Sequence, residues 1–167
     1  MTEPTIPATP EYRRLEGPLE YEQAINTIIQ QASRELRIFD YDLRSEGYNS
    51  LQRFELLQSF LLASRLNRLA IVLHDTRYLT SECPRMMNLL RQFSHAINVY
   101  QTTAEARIAT DPFIIADDAH FLHRFHYDHP RAALSLNDKD AALDLIRRFN
   151  EILELSEPAA PPTTLGL

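Results

Sequence analysis

Four of the six histidines lie in the stretch "AHFLHRFHYDHPR", at His120, His123, His126 and His129. Imidazole rings near aspartates are common ligands of zinc and similar ions, and they also serve as nucleophiles and proton acceptors. The composition of "HFLHRF" is typical of a strand, and residues three apart on a strand point to opposite faces. His120 and His123 are therefore predicted to diverge, and only His126 and His129 can meet easily. We expect no metal and no cofactor here, and interpret these histidines as partly buried, hydrogen-bonded side chains.

Other polar side chains directly follow short apolar runs that have the composition of strands. They are Asp40, Tyr41 and Asp42 after the first run, His74 and Asp75 after the second, and Asp117 and Asp118 after "PFIIA". The ends of strands are where α/β proteins place ligand sites, and also where any strand turns back into water. This clustering therefore indicates a site only weakly.

Apolar residues at helical spacing alternate with these runs. Helices are predicted at residues 25–32, 51–61, 82–93 and 138–153, and strands at 36–43, 69–75, 97–101, 112–118 and 120–125. The short polar link at residues 117–119 predicts a hairpin. This order predicts an α/β fold with a mixed, mostly parallel sheet, helices on both faces, a C-terminal hairpin and a closing helix.

Length and composition limit the classes of protein. A chain of 167 residues suits one domain, expected at residues 15–155, with disordered tails at 1–14 and 156–167 that are rich in Pro, Thr and Ala. The lone Cys83 excludes an internal disulfide and suggests the cytoplasm. A formal charge of -6 disfavours general binding of nucleic acid, and runs such as "LAIVL" are too short to span a membrane.

From Thr110 onward, "TDPFIIADDAHFLHRFHYDHPRAALSLND" and the helix "AALDLIRRFNEILEL" resemble the second half of a phospholipase D-type domain. The signature of that family is His-x-Lys-x4-Asp on a strand, a turn, a second strand ending in Gly-Ser-x-Asn, and a final helix. Asp117 falls at the signature aspartate, and residues 18–101 are similar in layout. The resemblance implies a phospholipase D-like fold, from a bacterial subfamily with a single unit in each chain.

Set against this signature, Thr110 stands at the histidine position and Pro112 at the lysine position, while Arg124 and Phe125 replace Gly-Ser and Tyr127 replaces Asn. In the family the histidine attacks phosphorus and the lysine neutralises the phosphoryl oxygens. A threonine hydroxyl without an adjacent base is a poor nucleophile, and proline brings neither charge nor a backbone donor. If the strand continues, residues 123, 125 and 127 share a face and fill the old pocket with rings. The resemblance thus implies a degenerate unit, which favours a protein that is not an enzyme.

The expected function is a non-catalytic module for ligand binding or assembly, with a protein partner or a small anionic ligand. The candidates to bind an anion are His74, His123, Arg124, His126 and Arg131. Single-motif members of the family pair two units so that their motifs face each other, which implies a homodimer. The alternative is a phosphodiesterase, of phospholipase or nuclease type, in which His123 or His126 is the nucleophile and Arg124 or Arg131 holds the phosphate.

Overall fold

The computed structural model describes residues 9–159, in which helices cover both faces of one sheet. The strands are β1 Glu11–Leu15, β2 Glu35–Asp40, β3 Arg68–Leu73, β4 Ile97–Thr102, β5 Phe113–Ala116, β6 His120–His126, β7 His129–Leu136 and β8 Ser156–Pro158. The helices are α1 Pro18–Gln31, α2 Leu51–Ala63, α3 Arg77–Glu82, α4 Pro84–Gln92 and α5 Lys139–Glu154, with a 3₁₀ turn at Ala104–Ile108. No helix of the described part of the chain is long and apolar enough to cross a membrane.

The helices begin and pack as their sequences predict. Pro18 and Pro84 occupy first turns, where a missing backbone N–H costs nothing. The Ser50 hydroxyl caps α2 by accepting from the backbone N–H of Arg53 at 3.1 Å, and Asp138 caps α5 in the same way through Ala141. One face of the sheet packs on α1, α2 and α4, and the other face packs on α5.

The sheet is mixed, with the strand order β1-β7-β6-β5-β2-β3-β4-β8. The α/β fold, the mixed sheet, the hairpin and the closing helix are confirmed. The expectation of a mostly parallel sheet is wrong, because only β2 with β3 and β3 with β4 pair in parallel. The hairpins β5-β6 and β6-β7 add antiparallel strands, and β1 and β8 close the two ends of the sheet in antiparallel pairs.

Three strands lie where none was predicted. The segment after the hairpin, for which no strand was predicted, is β7, and Pro130 is tolerated there because β1 pairs with β7 only from Ala132 onward. Residues 11–14 of β1 and all of β8 lie in segments that were expected to be tails, so regular structure extends beyond residues 15–155 at both ends. The remaining tail residues, 1–8 and 160–167, lie outside the described part of the chain.

The carboxyl ends of β2, β3 and β4 meet at one end of the sheet. Asp40 pairs with Leu73 there, and the antiparallel β5 begins at the same end, because Phe113 pairs with Phe39. The end of β6 follows, through the pairing of His123 with Phe113. We call this the site end of the sheet.

Candidate functional site

Thr110 and Pro112, the positions at which the resemblance places the histidine and lysine, lie at the site end just before β5. Pro112 is buried and Thr110 is half-buried. The backbone N–H of Tyr127 donates to the carbonyl of Thr110 at 2.9 Å, and that of Arg124 donates to the carbonyl of Pro112 at 2.8 Å. The start of β5 is therefore covered by the end of β6 and the turn after it.

A stack of rings fills the space beside this backbone. The ring of Tyr127 lies 4.9 Å from that of Tyr41 and 4.6 Å from that of His126, and Tyr41 in turn lies 5.6 Å from His74. The sequence predicted that residues 123, 125 and 127 share a face. His123 and Phe125 are ring neighbours at 5.8 Å, but β6 ends at His126, so Tyr127 turns toward Tyr41 instead.

His74 is only 2% exposed, and both of its ring nitrogens bond to other residues of the chain. Its Nδ1 lies 2.6 Å from the hydroxyl of Thr102, and its Nε2 lies 2.6 Å from the carbonyl of Ala109. Because a carbonyl can only accept, we assign the proton to Nε2 and let the Thr102 hydroxyl donate to Nδ1. Burial lowers the pKa of His74, and the charge of Arg107 lowers it further. The neutral, fully bonded ring of His74 has no nitrogen left for an anion.

Arg124 is also unavailable to a ligand. Its guanidinium donates to Glu46 Oε1 at 3.1 Å, with 11% of the Arg124 side chain and 6% of the Glu46 side chain exposed, and it lies over the ring of Tyr21. The carboxyl of Glu46 also lies beside that of Asp40, which is buried at the end of β2. Burial and the neighbouring Asp40 raise the pKa of Glu46 to about 10. Two buried carboxyls therefore share one cation and retain one proton.

His123 has a carboxylate partner that the sequence analysis did not identify. Its Nε2 lies 2.8 Å from Oδ2 of Asp111, and Oδ1 of Asp111 accepts from Arg148 on α5. Burial alone would raise the pKa of Asp111, but the hydrogen bond from His123 and the charge of Arg148 together lower it. The side chain of His123 stays 27% exposed, so a carboxylate orients an imidazole that solvent can reach.

Cationic side chains gather around this pair on one face of the sheet. His123 and Arg14 both pair with Ala133, on either side of it, so their side chains lie in one row. Arg131, two residues from Ala133 along β7, is exposed beside the irregularity in the β6-β7 pairing. We call His123, Arg14, Arg131 and Arg148 the cationic surface.

The remaining histidines form no metal cage. His120 and His123 diverge, and Nδ1 of His120 accepts from the backbone N–H of Asn137 at 3.0 Å. The rings of His126 and His129 lie 5.6 Å apart across the β6-β7 pair, and the backbone N–H of Asp128 donates to Nδ1 of His126. Within residues 9–159 no group of three or more His, Cys, Asp or Glu side chains could hold a metal ion.

Asp117 lies at the opposite end of the sheet from Thr110, because β5 runs antiparallel to β2. Its carboxylate accepts from the backbone N–H groups of Ser33, Arg34 and Glu35 and from the Ser33 hydroxyl, at 2.7–3.3 Å. The signature aspartate thus fastens the entry to β2. Of the polar residues predicted to cluster at strand ends, Asp40, Tyr41 and His74 lie together at the site end, and Asp117 lies at the opposite end.

Solved structures share this architecture. Nuc from Salmonella typhimurium, a phospholipase D family member, has a TM-score of 0.66 and 15% identity over 90% of this chain and 99% of its own. NucT from Helicobacter pylori has a TM-score of 0.58 and 14% identity over 90% of this chain and 100% of its own. TrmBL2, an archaeal chromatin protein that binds DNA, has a TM-score of 0.65 and 11% identity over 89% of this chain. This chain spans about half (54%) of the length of TrmBL2.

These similarities show the fold, which is phospholipase D-like. A comparison with curated protein sequences finds no match. A family model described as "Domain of unknown function (DUF7931)" matches residues 18–161. The chain therefore belongs to the DUF7931 family.

Proposed function

We propose that this protein is a non-catalytic phospholipase D-like module that binds an anionic ligand. The observation that supports the absence of catalysis is the start of β5. Thr110 and Pro112 offer neither an imidazole nor an ammonium group, and the Tyr127 backbone and its ring stack occupy the adjoining space. A phosphodiester would find no nucleophile there.

The cationic surface supports the binding of an anion. Two exposed guanidinium groups, Arg14 and Arg131, belong to the same surface as His123 and Arg148, and the carboxylate of Asp111 is already bonded to the latter two. Guanidinium groups pair bidentately with phosphate or carboxylate oxygens. Of the five residues that the sequence nominated, we retain His123, His126 and Arg131. We also propose that the module is a homodimer, with assembly as part of its role.

A titration with inorganic pyrophosphate tests the binding proposal. Calorimetry on the full chain should show saturable binding that Arg131→Gln weakens by about ten- to a hundredfold, since a charge-assisted contact contributes about 1.5–3 kcal/mol. The matched control is Arg65→Gln, which removes the same charge from an exposed position after α2 and should leave affinity unchanged. Equal loss in both variants, or no saturable binding, would contradict the proposed site.

A second candidate function is favoured by one observation, the Asp111–His123 hydrogen bond. A carboxylate that orients an imidazole is the arrangement by which enzymes prepare a general base or nucleophile, so a relocated phosphodiesterase site would centre on His123. Arg131 is then the remaining phosphate clamp, because Arg124 is held by Glu46.

Hydrolysis of bis(p-nitrophenyl) phosphate separates the two functions. The non-catalytic module should give no release of p-nitrophenol above buffer, with or without added divalent ions. Turnover that His123→Gln abolishes, while the control His95→Gln at an exposed position keeps it, would replace the first proposal by the second.

A further inference from the structure

We infer that two copies of this chain associate through β1, by antiparallel pairing of Glu11–Leu15 with the same strand of the partner. This inference rests on the proposed homodimer and names the surface that forms it. It starts from the position of β1 at one end of the strand order, where it pairs with β7 alone among the described strands.

No other strand of the described part of the chain covers the outer side of β1. Four of its five residues are exposed, and the ring of Tyr12 is 64% exposed. On the face of the sheet that packs on α1, Glu11 and Arg13 line a cavity of about 460 Å³ together with residues of α1 and β7. Within residues 9–159 neither of these two charged side chains takes part in an ion pair. An edge strand of this kind presents unpaired backbone donors and acceptors.

The charge pattern of β1 selects a register. In an antiparallel pair, facing residues both point their backbone groups toward the partner or both away from it. When a strand pairs with its own copy, the two-fold axis that relates them must therefore pass beside one residue, which faces its own copy, and not between two residues. Centring on Glu11, Arg13 or Arg14 sets two like charges directly opposite each other, which is destabilising. Centring on Leu15 runs past the end of β1, because it would place Tyr12 opposite Pro18 of α1. Centring on Tyr12 instead places Glu11 opposite Arg13 twice and the two tyrosine rings side by side.

Charged residues on edge strands often prevent association, and like charges that face each other across a strand pair are destabilising. The sequence Glu11-Tyr12-Arg13 is self-complementary in the register centred on Tyr12. A second copy therefore fits this edge by charge, and a two-fold axis closes the contact.

This dimer differs from the arrangement that the phospholipase D resemblance implies. Leu15 lies toward the site end of the sheet, because it pairs with Ala132, which pairs with Arg124. Antiparallel pairing of β1 with its copy points the two site ends in opposite directions. Each cationic surface is then complete within one chain, and no site is shared across the axis.

Charge reversal tests this contact on the full chain. Glu11→Arg and Arg13→Glu should each raise the dimer dissociation constant about tenfold or more, because each puts two like-charged pairs in place of two attractive ones. The double variant Glu11→Arg/Arg13→Glu restores unlike pairs and should recover dimerisation. Analytical ultracentrifugation over a concentration series measures all three constants.

Arg14→Glu is the matched control, since it reverses a charge on the same strand at a position that this register leaves opposite Pro10. It should leave the dissociation constant nearly unchanged. A dimer that survives both single reversals overturns the β1 contact and leaves the homodimer standing. A chain that is monomeric into the high-micromolar range overturns both. Pyrophosphate binding, measured separately, decides the ligand proposal in either case.

Discussion

At the scale of single residues, the carboxylate that accepts the most hydrogen bonds within residues 9–159 serves the fold. Asp117 adopts a left-handed backbone conformation with φ of 56°, which aspartate tolerates better than most residues. From there its two oxygens accept from three successive backbone N–H groups, of Ser33, Arg34 and Glu35. The residue that matches the family signature therefore has a structural task that does not depend on Thr110 or Pro112.

Asp117→Ala should lower the free energy of unfolding by about 2–3 kcal/mol, because three backbone donors lose a charged acceptor. Urea denaturation followed by circular dichroism measures the change. Asp118→Ala removes the neighbouring carboxylate, which is 72% exposed, and should change stability by less than about 0.5 kcal/mol. Equal effects of the two substitutions would contradict the structural role of Asp117.

Thr102 also has a structural role, because its hydroxyl hydrogen-bonds the buried ring of His74. Thr102→Val keeps the shape of the side chain but leaves Nδ1 of His74 without a partner, which should cost about 1–3 kcal/mol. Thr80→Val is the control, since the Thr80 hydroxyl is exposed and bonds only carbonyls near its own helical turn. The melting temperatures of both variants test this, and an unchanged value for Thr102→Val would refute the bond to His74.

At the scale of elements, the spacing of apolar residues predicted the helices that bury one stripe of side chains and the strands that bury a whole apolar run. The helical spacing of Ile25, Ile28 and Ile29 lies on α1, and the runs "LAIVL" and "PFIIA" lie on β3 and β5, because buried faces must be apolar. β1 and β8 could not be predicted in this way. Nearly all their residues are exposed, and backbone pairing with β7 and β4 makes them strands.

Removal of β8 should expose the edge of β4. A chain that ends at Leu155 loses the pairing of Ser156–Pro158 with β4 and the hydrogen bond from Ala159 to Val99, and its melting temperature should fall by several degrees. A chain that ends at Ala159 keeps every one of these bonds and is the control. Differential scanning calorimetry compares the two, and equal melting temperatures would show that β8 adds no stability.

At the scale of the whole molecule, the candidate site depends on contacts that local patterns do not encode. Arg148 reaches Asp111 from 37 residues away, and Arg124 reaches Glu46 from 78 residues away. The sequence nominated His74 and Arg124 as ligands for an anion because their residue types suit that task. Only the folded chain shows that Thr102, Ala109 and Glu46 already bond them.

The shared proton of Asp40 and Glu46 makes stability depend on pH. The pKa of Glu46 rises from 4.5 to about 10 on folding, so between these values the native chain holds a proton that the unfolded chain has released. Raising the pH through this window therefore favours unfolding, by at most about 1.4 kcal/mol for each pH unit.

Glu46→Gln should remove this dependence, since an amide can accept from Arg124 and donate to Asp40 without titrating. Its melting temperature should exceed that of the natural chain by a margin that grows from pH 5 to pH 9. Glu82→Gln, at a side chain that is 61% exposed, should show no such growth. A constant margin for Glu46→Gln would mean that the carboxyl pair is ionised at both pH values.

Because β1 and β8 lie at opposite ends of the strand order, the width of the sheet sets the distance between the two ends of the described chain. Seven interstrand spacings hold Thr9 and Ala159 roughly 34 Å apart across the sheet, whereas an unfolded chain would spread them about threefold further. Because the native thiol, Cys83, is buried, cysteines introduced at these two positions would accept a pair of fluorophores selectively. Energy transfer between the dyes would then report folding directly, one molecule at a time.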